Sequence, residues 1–277
     1  ALPICLYLGP DKPRRLFIFV HGLSGSIFSR HELITLLVDG QTGVLTFNNR
    51  GSGVINGLKR KQGAKAVFSG PAGSGQEVFT DCVDDLDGAV CFARQQGVQE
   101  IYLVGHSTGC QKSVYYLSRR PKSPVKGAVL LAPVSDFASL ETEGVTREVY
   151  RRALLAASRL VKQRQPHTLL PAGLWRSPID AQRFLSLYTP DSAEEIFCYA
   201  SARRPVTLRK VAKPLLIALA GNDQYHDRPA GEIAAWFQES LVGREADIVI
   251  IDGVEHGFGP EYSGLARMIK TWADNNK

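Results

Sequence analysis

Ser107 sits between glycines two residues away on either side, in Gly105-His106-Ser107-Thr108-Gly109. The apolar run Ile101-Tyr102-Leu103-Val104 precedes it, and a helix is expected over residues 110–119. A serine at the tip of a sharp strand-to-helix turn is held in a strained backbone conformation. Glycines at the flanking positions remove the Cβ atoms that would collide there. The hydroxyl then stands clear of the sheet, and the unpaired N–H groups at the start of the helix face a developing oxyanion. The chemistry implied is nucleophilic attack on a carbonyl, with a covalent acyl intermediate. A Gly/Ser-rich connection without chemistry is the bland reading; the strand before and the helix after favour the nucleophile.

A serine hydroxyl needs a base to take its proton. His256 fits that role, in Asp252-Gly253-Val254-Glu255-His256-Gly257, after one apolar run and before the last helical pattern. The acid is expected between serine and histidine in chain order. Asp223 follows the run 214–220 through Gly221-Asn222, where a carboxylate can accept from the imidazole Nδ1 and fix its tautomer. Asp227, Asp252 and Asp136 are its rivals. The oxyanion needs two N–H donors converging on one point. Thr108, directly after the nucleophile, supplies one. Leu23, in His21-Gly22-Leu23-Ser24-Gly25 after the run 16–20, supplies the other. His21, Gly22 and His106 are expected to position these groups rather than to react.

Those side chains need a scaffold that brings distant residues to one edge. Strand-like runs are expected at residues 4–8, 16–20, 44–47, 101–104, 127–131, 214–220 and 247–251. Several are continuously apolar, as in a sheet covered on both faces. Helical patterns fall at 30–38, 78–96, 110–119, 231–240 and 262–275. The alternation predicts an α/β fold with a doubly wound, mostly parallel sheet. Residues 51–76, rich in Gly, Lys and Ser, read as a long loop. Residues 141–210 read as mostly helical, broken at Pro166, Pro171, Pro178, Pro190 and Pro205. The expected organisation is a core of residues 1–140 and 211–277 with a helical cap insertion at 141–210, over the edge where ligands bind.

Composition excludes other classes. The chain of 277 residues is 44% hydrophobic and 22% charged, with net charge +6, and it suits a globular protein with a large core. No zinc-finger spacing or aromatic-rich RNA-binding motif accompanies that mild basicity, so nucleic acid is not an expected partner. Residues 141–210 hold twelve Lys/Arg against seven Asp/Glu, +5 of the +6. This reads as solvated helix faces, or as a basic rim attracting acidic substrates. Cys5, Cys82, Cys91, Cys110 and Cys198 are an odd, scattered set that argues for a reducing compartment. No apolar stretch reaches the ~20 residues of a membrane span, and no signal-peptide pattern is read at Ala1. The expectation is a cytoplasmic protein, with no signal for its oligomeric state.

Other motifs resolve as structure. Gly51, Gly53 and Gly57 miss the dinucleotide spacing by one residue, and Gly70 to Gln76 lacks the Lys-Ser/Thr ending of a phosphate loop. Arg50-Gly51-Ser52-Gly53 reads as a turn whose arginine anchors loops. Asp81, Asp84, Asp85 and Asp87 suit the positive end of a helix dipole. Cys110 reads as a small core residue.

The elbow is of the α/β-hydrolase type. Gly105-His106-Ser107-Thr108-Gly109-Cys110-Gln111, Val114-Tyr115-Tyr116-Leu117 and Ala132-Pro133-Val134-Ser135-Asp136 together resemble the DUF1749 group, the fungal siderophore-esterase-like α/β-hydrolases. The resemblance is close over residues 101–136 and general elsewhere. It implies a serine hydrolase, with Ser107 as nucleophile and Asp223 and His256 as partners. Members linked to siderophores cleave ester bonds in hydroxamate siderophores. This chain departs from the group's pattern at Phe137-Ala138-Ser139, where charged residues are expected.

The resulting expectation is a carboxylic ester hydrolase acting on a small-molecule ester, needing neither metal nor organic cofactor. A thioesterase, amidase or acyltransferase with the same triad, a lyase using it as an acid–base set, and a non-catalytic ligand-binding protein of this fold are the alternatives.

Overall fold

The structure, a computed structural model, describes residues 4–62 and 65–276. In chain order the first half runs β1 (Cys5–Leu8), β2 (Arg15–Val20), α1 (His31–Leu37), β3 (Thr42–Phe47), β4 (Asn56–Gln62), β5 (Lys65–Ala72), α2 (Cys82–Gln95), β6 (Glu100–His106), α3 (Thr108–Arg119) and β7 (Val125–Leu131). Then come α4 (Arg147–Lys162), α5 (Ala181–Tyr188), α6 (Val206–Arg209), β8 (Leu215–Ala220), α7 (Ala230–Ser240), β9 (Ala246–Ile251) and α8 (Tyr262–Asn275). Among the described residues, seven strands form one sheet in the order β1-β3-β2-β6-β7-β8-β9. β1 runs antiparallel to β3, and every other neighbouring pair is parallel. No described helix is long and apolar enough to cross a membrane.

The uninterrupted apolar runs are explained by burial on both faces. In β2, Leu16, Ile18 and Val20 join the layer that holds α2, α3 and α7, whereas Phe17 and Phe19 join the layer that holds α1 and α8. β6 divides the same way, with Ile101 and Leu103 on one side and Tyr102 and Val104 on the other. Each such side chain contributes about 1.5–3 kcal/mol relative to exposure. The parallel sheet delivers the residues that follow β2, β6, β7, β8 and β9 to one edge, the edge at which such folds bind ligands.

Two sequence expectations need correction. Residues 51–76 are not simply a long loop, because β4 and β5 form a separate antiparallel hairpin. A hairpin that pairs only with itself needs no apolar run, and Lys59-Arg60-Lys61-Gln62 offered no strand signal. Residues 141–210 are less helical than expected, since α4, α5 and the single turn α6 are separated by turns and extended chain. The five prolines remove backbone donors that longer helices would require. Thr146 caps α4 by accepting from the Val149 amide at 3.3 Å, and Asp180 caps α5 by accepting from the Arg183 amide at 2.7 Å. The acidic cluster at the start of α2 also has a sharper explanation than the helix dipole. Arg50 reaches Asp81 at 2.7 Å and Asp85 at 2.9 Å, tying the loop after β3 to α2.

The stretch between β7 and β8 carries its own apolar cluster, with Trp175, Phe184, Leu187 and Tyr188 packed against Ala153 and Ala157. Buried ions fasten it to the sheet layers. Lys112 Nζ, on α3, lies 2.8 Å from Glu77 Oε2, and Arg183 Nη2, on α5, lies 2.9 Å from Glu77 Oε1. Arg183 Nη1 also pairs with Glu194. Burial would raise the Glu77 carboxyl, but Lys112 and Arg183 hold it below the usual carboxylate range.

Glu195, next in the chain, behaves differently. It accepts from Ser135 Oγ at 2.6 Å, and burial above all pushes its carboxyl up to about 7. The folded state therefore holds this proton more tightly than the unfolded chain. The stabilisation is complete below the ordinary value of 4.5 and is lost as pH rises through about 7. Glu195→Gln is expected to be more stable than the parent at about pH 8 and little changed at about pH 4, measured by urea unfolding. Equal differences at the two pH values would contradict this.

Candidate active site

Ser107 occupies the turn between β6 and α3 with φ 56° and ψ −129°. A non-glycine residue held there stores about 1–3 kcal/mol of strain, the kind that clusters at functional sites. The flanking glycines have specific reasons. A Cβ on Gly105 would lie 2.4 Å from the Gly109 carbonyl oxygen, and one on Gly109 would lie 2.0 Å from the Val20 carbonyl oxygen. The turn is closed by the Ser107 amide donating to the Leu131 carbonyl at 3.0 Å and the Cys110 amide donating to the Ser107 carbonyl at 2.8 Å. Cys110 is buried, and burial pushes its thiol far above the usual range, consistent with a core residue.

Thr108 begins α3, so its N–H lacks an intrahelical acceptor. Its side chain is buried and Oγ1 has no partner among the described residues. The loop after β2 approaches from the other side. Leu23 lies on it, and its amide donates to no protein group among the described residues. His21 is fully buried beneath this loop, with Nδ1 donating to the Gly22 carbonyl at 2.8 Å and Nε2 accepting from the Asn49 amide at 3.2 Å. Burial, helped by the Lys112 charge, lowers its pKa to about 4, so the ring is neutral and its tautomer fixed near neutral pH. Gly22 must be glycine because a Cβ would stand 2.8 Å from Ser107 Cβ and 3.2 Å from Ser107 Oγ. Gly22→Ala is expected to cost about 10²-fold in kcat through misplacement of Ser107. Steady-state kinetics beside a melting curve check this, and an alanine variant with parental kcat would contradict it.

His256 follows β9 and Asp223 follows β8. His256 Nδ1 donates to Asp223 Oδ2 at 2.7 Å, and both residues are buried. Asp223 Oδ1 also accepts from the Tyr225 amide at 3.0 Å. The three other aspartates are committed or misplaced. Asp227 is gripped by Arg228 at 2.7 Å, and Asp252 is exposed at the end of β9. Asp136 accepts from Gln111 Nε2 at 3.0 Å, and burial, with Glu194 nearby, raises its carboxyl well above the usual range.

His106 gives the base loop a second hold, with Nε2 donating to the His256 carbonyl at 2.9 Å. Burial, then His256 and Arg30, lower its pKa to about 3, so it stays neutral and acts as a fixed donor. Sequence reasoning missed the other supports. Gln224 Oε1 accepts from the His256 amide at 3.2 Å, and the Tyr225 ring stands edge-on to the imidazole with centroids 4.8 Å apart. His226 Nε2 is buried without a hydrogen-bond partner among the described residues; Asp223 Oδ2, at 3.6 Å, is too far for one. Their one sequence signal was adjacency to Asp223.

Ser107, His106, His256, Gly22 and Leu23 all line one cavity of about 380 Å³, with Asp223 directly behind His256. The Ser107 hydroxyl and His256 Nε2 make no hydrogen bond to a protein group among the described residues, and both residues line the cavity. Arg30, Asp136, Ser139, Glu143 and Tyr188 also line it.

Residues 67–270 match the family model described as "Protein of unknown function (DUF1749)". A curated relative, fusarinine C esterase sidJ of Aspergillus fumigatus, is 30% identical over an alignment covering 34% of this chain. The chain spans only 36% of the length of that relative. Among solved structures, Est1E from Butyrivibrio proteoclasticus, with ferulic acid bound, aligns with a TM-score of 0.65 at 16% identity, covering 99% of this chain and 94% of that one. A monoacylglycerol lipase of Paleococcus ferrophilus aligns with a TM-score of 0.63 at 17% identity, covering 99% of each chain. A soluble variant of monoglyceride lipase from Saccharomyces cerevisiae, in complex with a substrate analog, gives 0.65 at 13% identity, covering 99% and 91%. At such identities these likenesses establish the α/β-hydrolase fold.

Proposed function

The chain belongs to the DUF1749 family of α/β-hydrolases, and on that premise we propose that it is a serine esterase acting on small polar esters. The observation that carries this reading is one cavity holding a strained, glycine-flanked serine opposite a histidine that donates to a buried aspartate. Ser107 Oγ attacks the ester carbonyl while His256 Nε2 takes its proton. Asp223 holds the imidazole with Nδ1–H inward and stabilises it as imidazolium. The Thr108 and Leu23 amides receive the oxyanion. His256 returns the proton to the leaving alcohol, and a water activated by His256 then releases the acid. The Ser107–His256 contact forms as substrate enters, since such hydrogen bonds are often long in empty sites.

Residues 141–210 serve as the cap, with Glu143 and Tyr188 facing the cavity. A cavity of this size with two acids, one guanidinium and several serines on its walls suits compact, polar esters better than long acyl chains. The sidJ relative is named for fusarinine C, an ester substrate; siderophore-type esters belong to the class proposed here. The five free thiols favour a reducing, cytoplasmic location.

Two measurements test the reading together: labelling by a fluorophosphonate probe, mapped by peptide mass spectrometry, and turnover of matched butyrate esters, thioesters and anilides. Label on Ser107 with fastest ester turnover is expected. Label with faster thioester or anilide turnover would transfer the triad to those substrates. An unlabelled Ser107 in folded protein would leave a binding protein.

A further inference from the structure

We infer that Arg30 is the anchor for a carboxylate carried by the substrate, so that this esterase selects anionic esters. The inference deepens the esterase reading and rests on it. Arg30 is the only guanidinium or ammonium group among the residues lining the cavity with Ser107 and His256. It forms no ion pair and no side-chain hydrogen bond among the described residues, and its Nε is buried without an acceptor. A buried donor left without a partner needs an explanation; Arg30 lines the cavity, and with Nε closed off its terminal nitrogens are the donors left for an anionic ligand there.

The seat for this side chain is built. Arg30 has a left-handed backbone, φ 58°, unusual for a residue with a Cβ. Its guanidinium lies flat against Gly257, where a Cβ would stand 3.1 Å from Nη1 and 3.3 Å from Cζ. Gly257 follows the general base directly, so the cation is fixed beside His256. The acids of the cavity do not neutralise it. Glu143 is taken by Arg176 and by Ser139 Oγ, and Asp136 by Gln111, with burial favouring its protonated form.

The chemistry of the opposing walls narrows the ligand. One guanidinium fork matches one carboxylate bidentately. A phosphate monoester dianion would bring a second negative charge that no second cation lining the cavity meets. Among the basic residues of 141–210, Arg176 is taken up by Glu143, and Arg151 is exposed and paired with Glu148.

The test uses two matched pairs of esters, one with the charge on the acyl side and one with it on the alcohol side. The first is mono-4-nitrophenyl adipate against 4-nitrophenyl hexanoate. The second is the butyrate ester of 4-hydroxybenzoate against that of 4-hydroxybenzamide. The kcat/KM ratio of anionic to neutral ester should be about 10- to 100-fold in at least one pair, as for a charge-assisted hydrogen bond. It should fall towards one in Arg30→Gln and lie between in Arg30→Lys. Absence of preference in both pairs for the parent protein, or a preference kept by a folded Arg30→Gln protein, would overturn the inference.

Calorimetric binding of the same four esters to Ser107→Ala protein, with and without Arg30→Gln, separates this from the esterase reading. Arg30-dependent binding of an anionic ester, in a parent that hydrolyses none of the four, would sink the esterase and keep the anchor. Turnover without preference, together with equal binding, would do the reverse.

Discussion

Ser107→Ala is expected to lower kcat towards small esters by about 10⁶-fold and to abolish fluorophosphonate labelling, with the melting temperature close to the parental value. The size follows from the role proposed. Without Oγ there is no acyl intermediate, and only the oxyanion donors and binding remain to assist water. Folding should survive, because alanine carries the same Cβ and Ser107 Oγ makes no protein hydrogen bond that folding would miss. The His256→Ala and Ser107→Ala effects should not add: the double variant is expected at about the level of the worse single one, as for residues acting as a unit. Additive losses would mean that the two side chains do not work on the same proton. The measurement is single-turnover hydrolysis with protein in excess, with an active-site titration to exclude parental contamination.

Asp223→Asn is expected to cost about 10⁴-fold in kcat with the fold intact. The carboxylate accepts from His256 Nδ1 at 2.7 Å through Oδ2, and from the Tyr225 amide at 3.0 Å through Oδ1. An asparagine keeps its carbonyl on the amide and turns its NH₂ towards the ring. The ring then answers with the opposite tautomer, placing a proton on Nε2 where the lone pair is needed for Ser107. Asp227→Asn provides the internal contrast. Asp227 accepts from Arg228 and not from His256, and the variant should lose less than about tenfold in kcat. An Asp227 variant as impaired as the Asp223 variant would move the acid role. Kinetics of both variants, with a crystal structure of Asp223→Asn, check the argument.

The parts of the site carried by backbone geometry were legible in the sequence. Gly105 and Gly109 were readable because each relieves a backbone collision that any chain making this turn must avoid. The contact of His256 with Asp223 was readable because each follows a strand of one parallel sheet and so arrives at the same edge. Side chains positioned by distant partners were not legible. Lys112 and Arg183 look like solvent-facing charges on helical patterns, yet both are fully buried around Glu77. No local signal distinguishes a buried cation from an exposed one when its counter-ion lies tens of residues away. Arg30 was invisible for a related reason: it opens the helical pattern 30–38 as one more charged residue, and its meaning lies in what does not pair with it. The hairpin β4–β5 escaped because its strands do not pack into the sheet whose apolar pattern was being read.

The Glu77–Lys112–Arg183–Glu194 cluster bears on how substrate gets in. It joins α3, which starts directly after Ser107, to the stretch between β7 and β8, with all four ions shielded from water. Swinging that stretch away as one rigid flap would part Arg183 from Glu77 and strand charges at several kcal/mol each. Traffic through the mouth therefore falls to short segments that can yield without breaking the cluster.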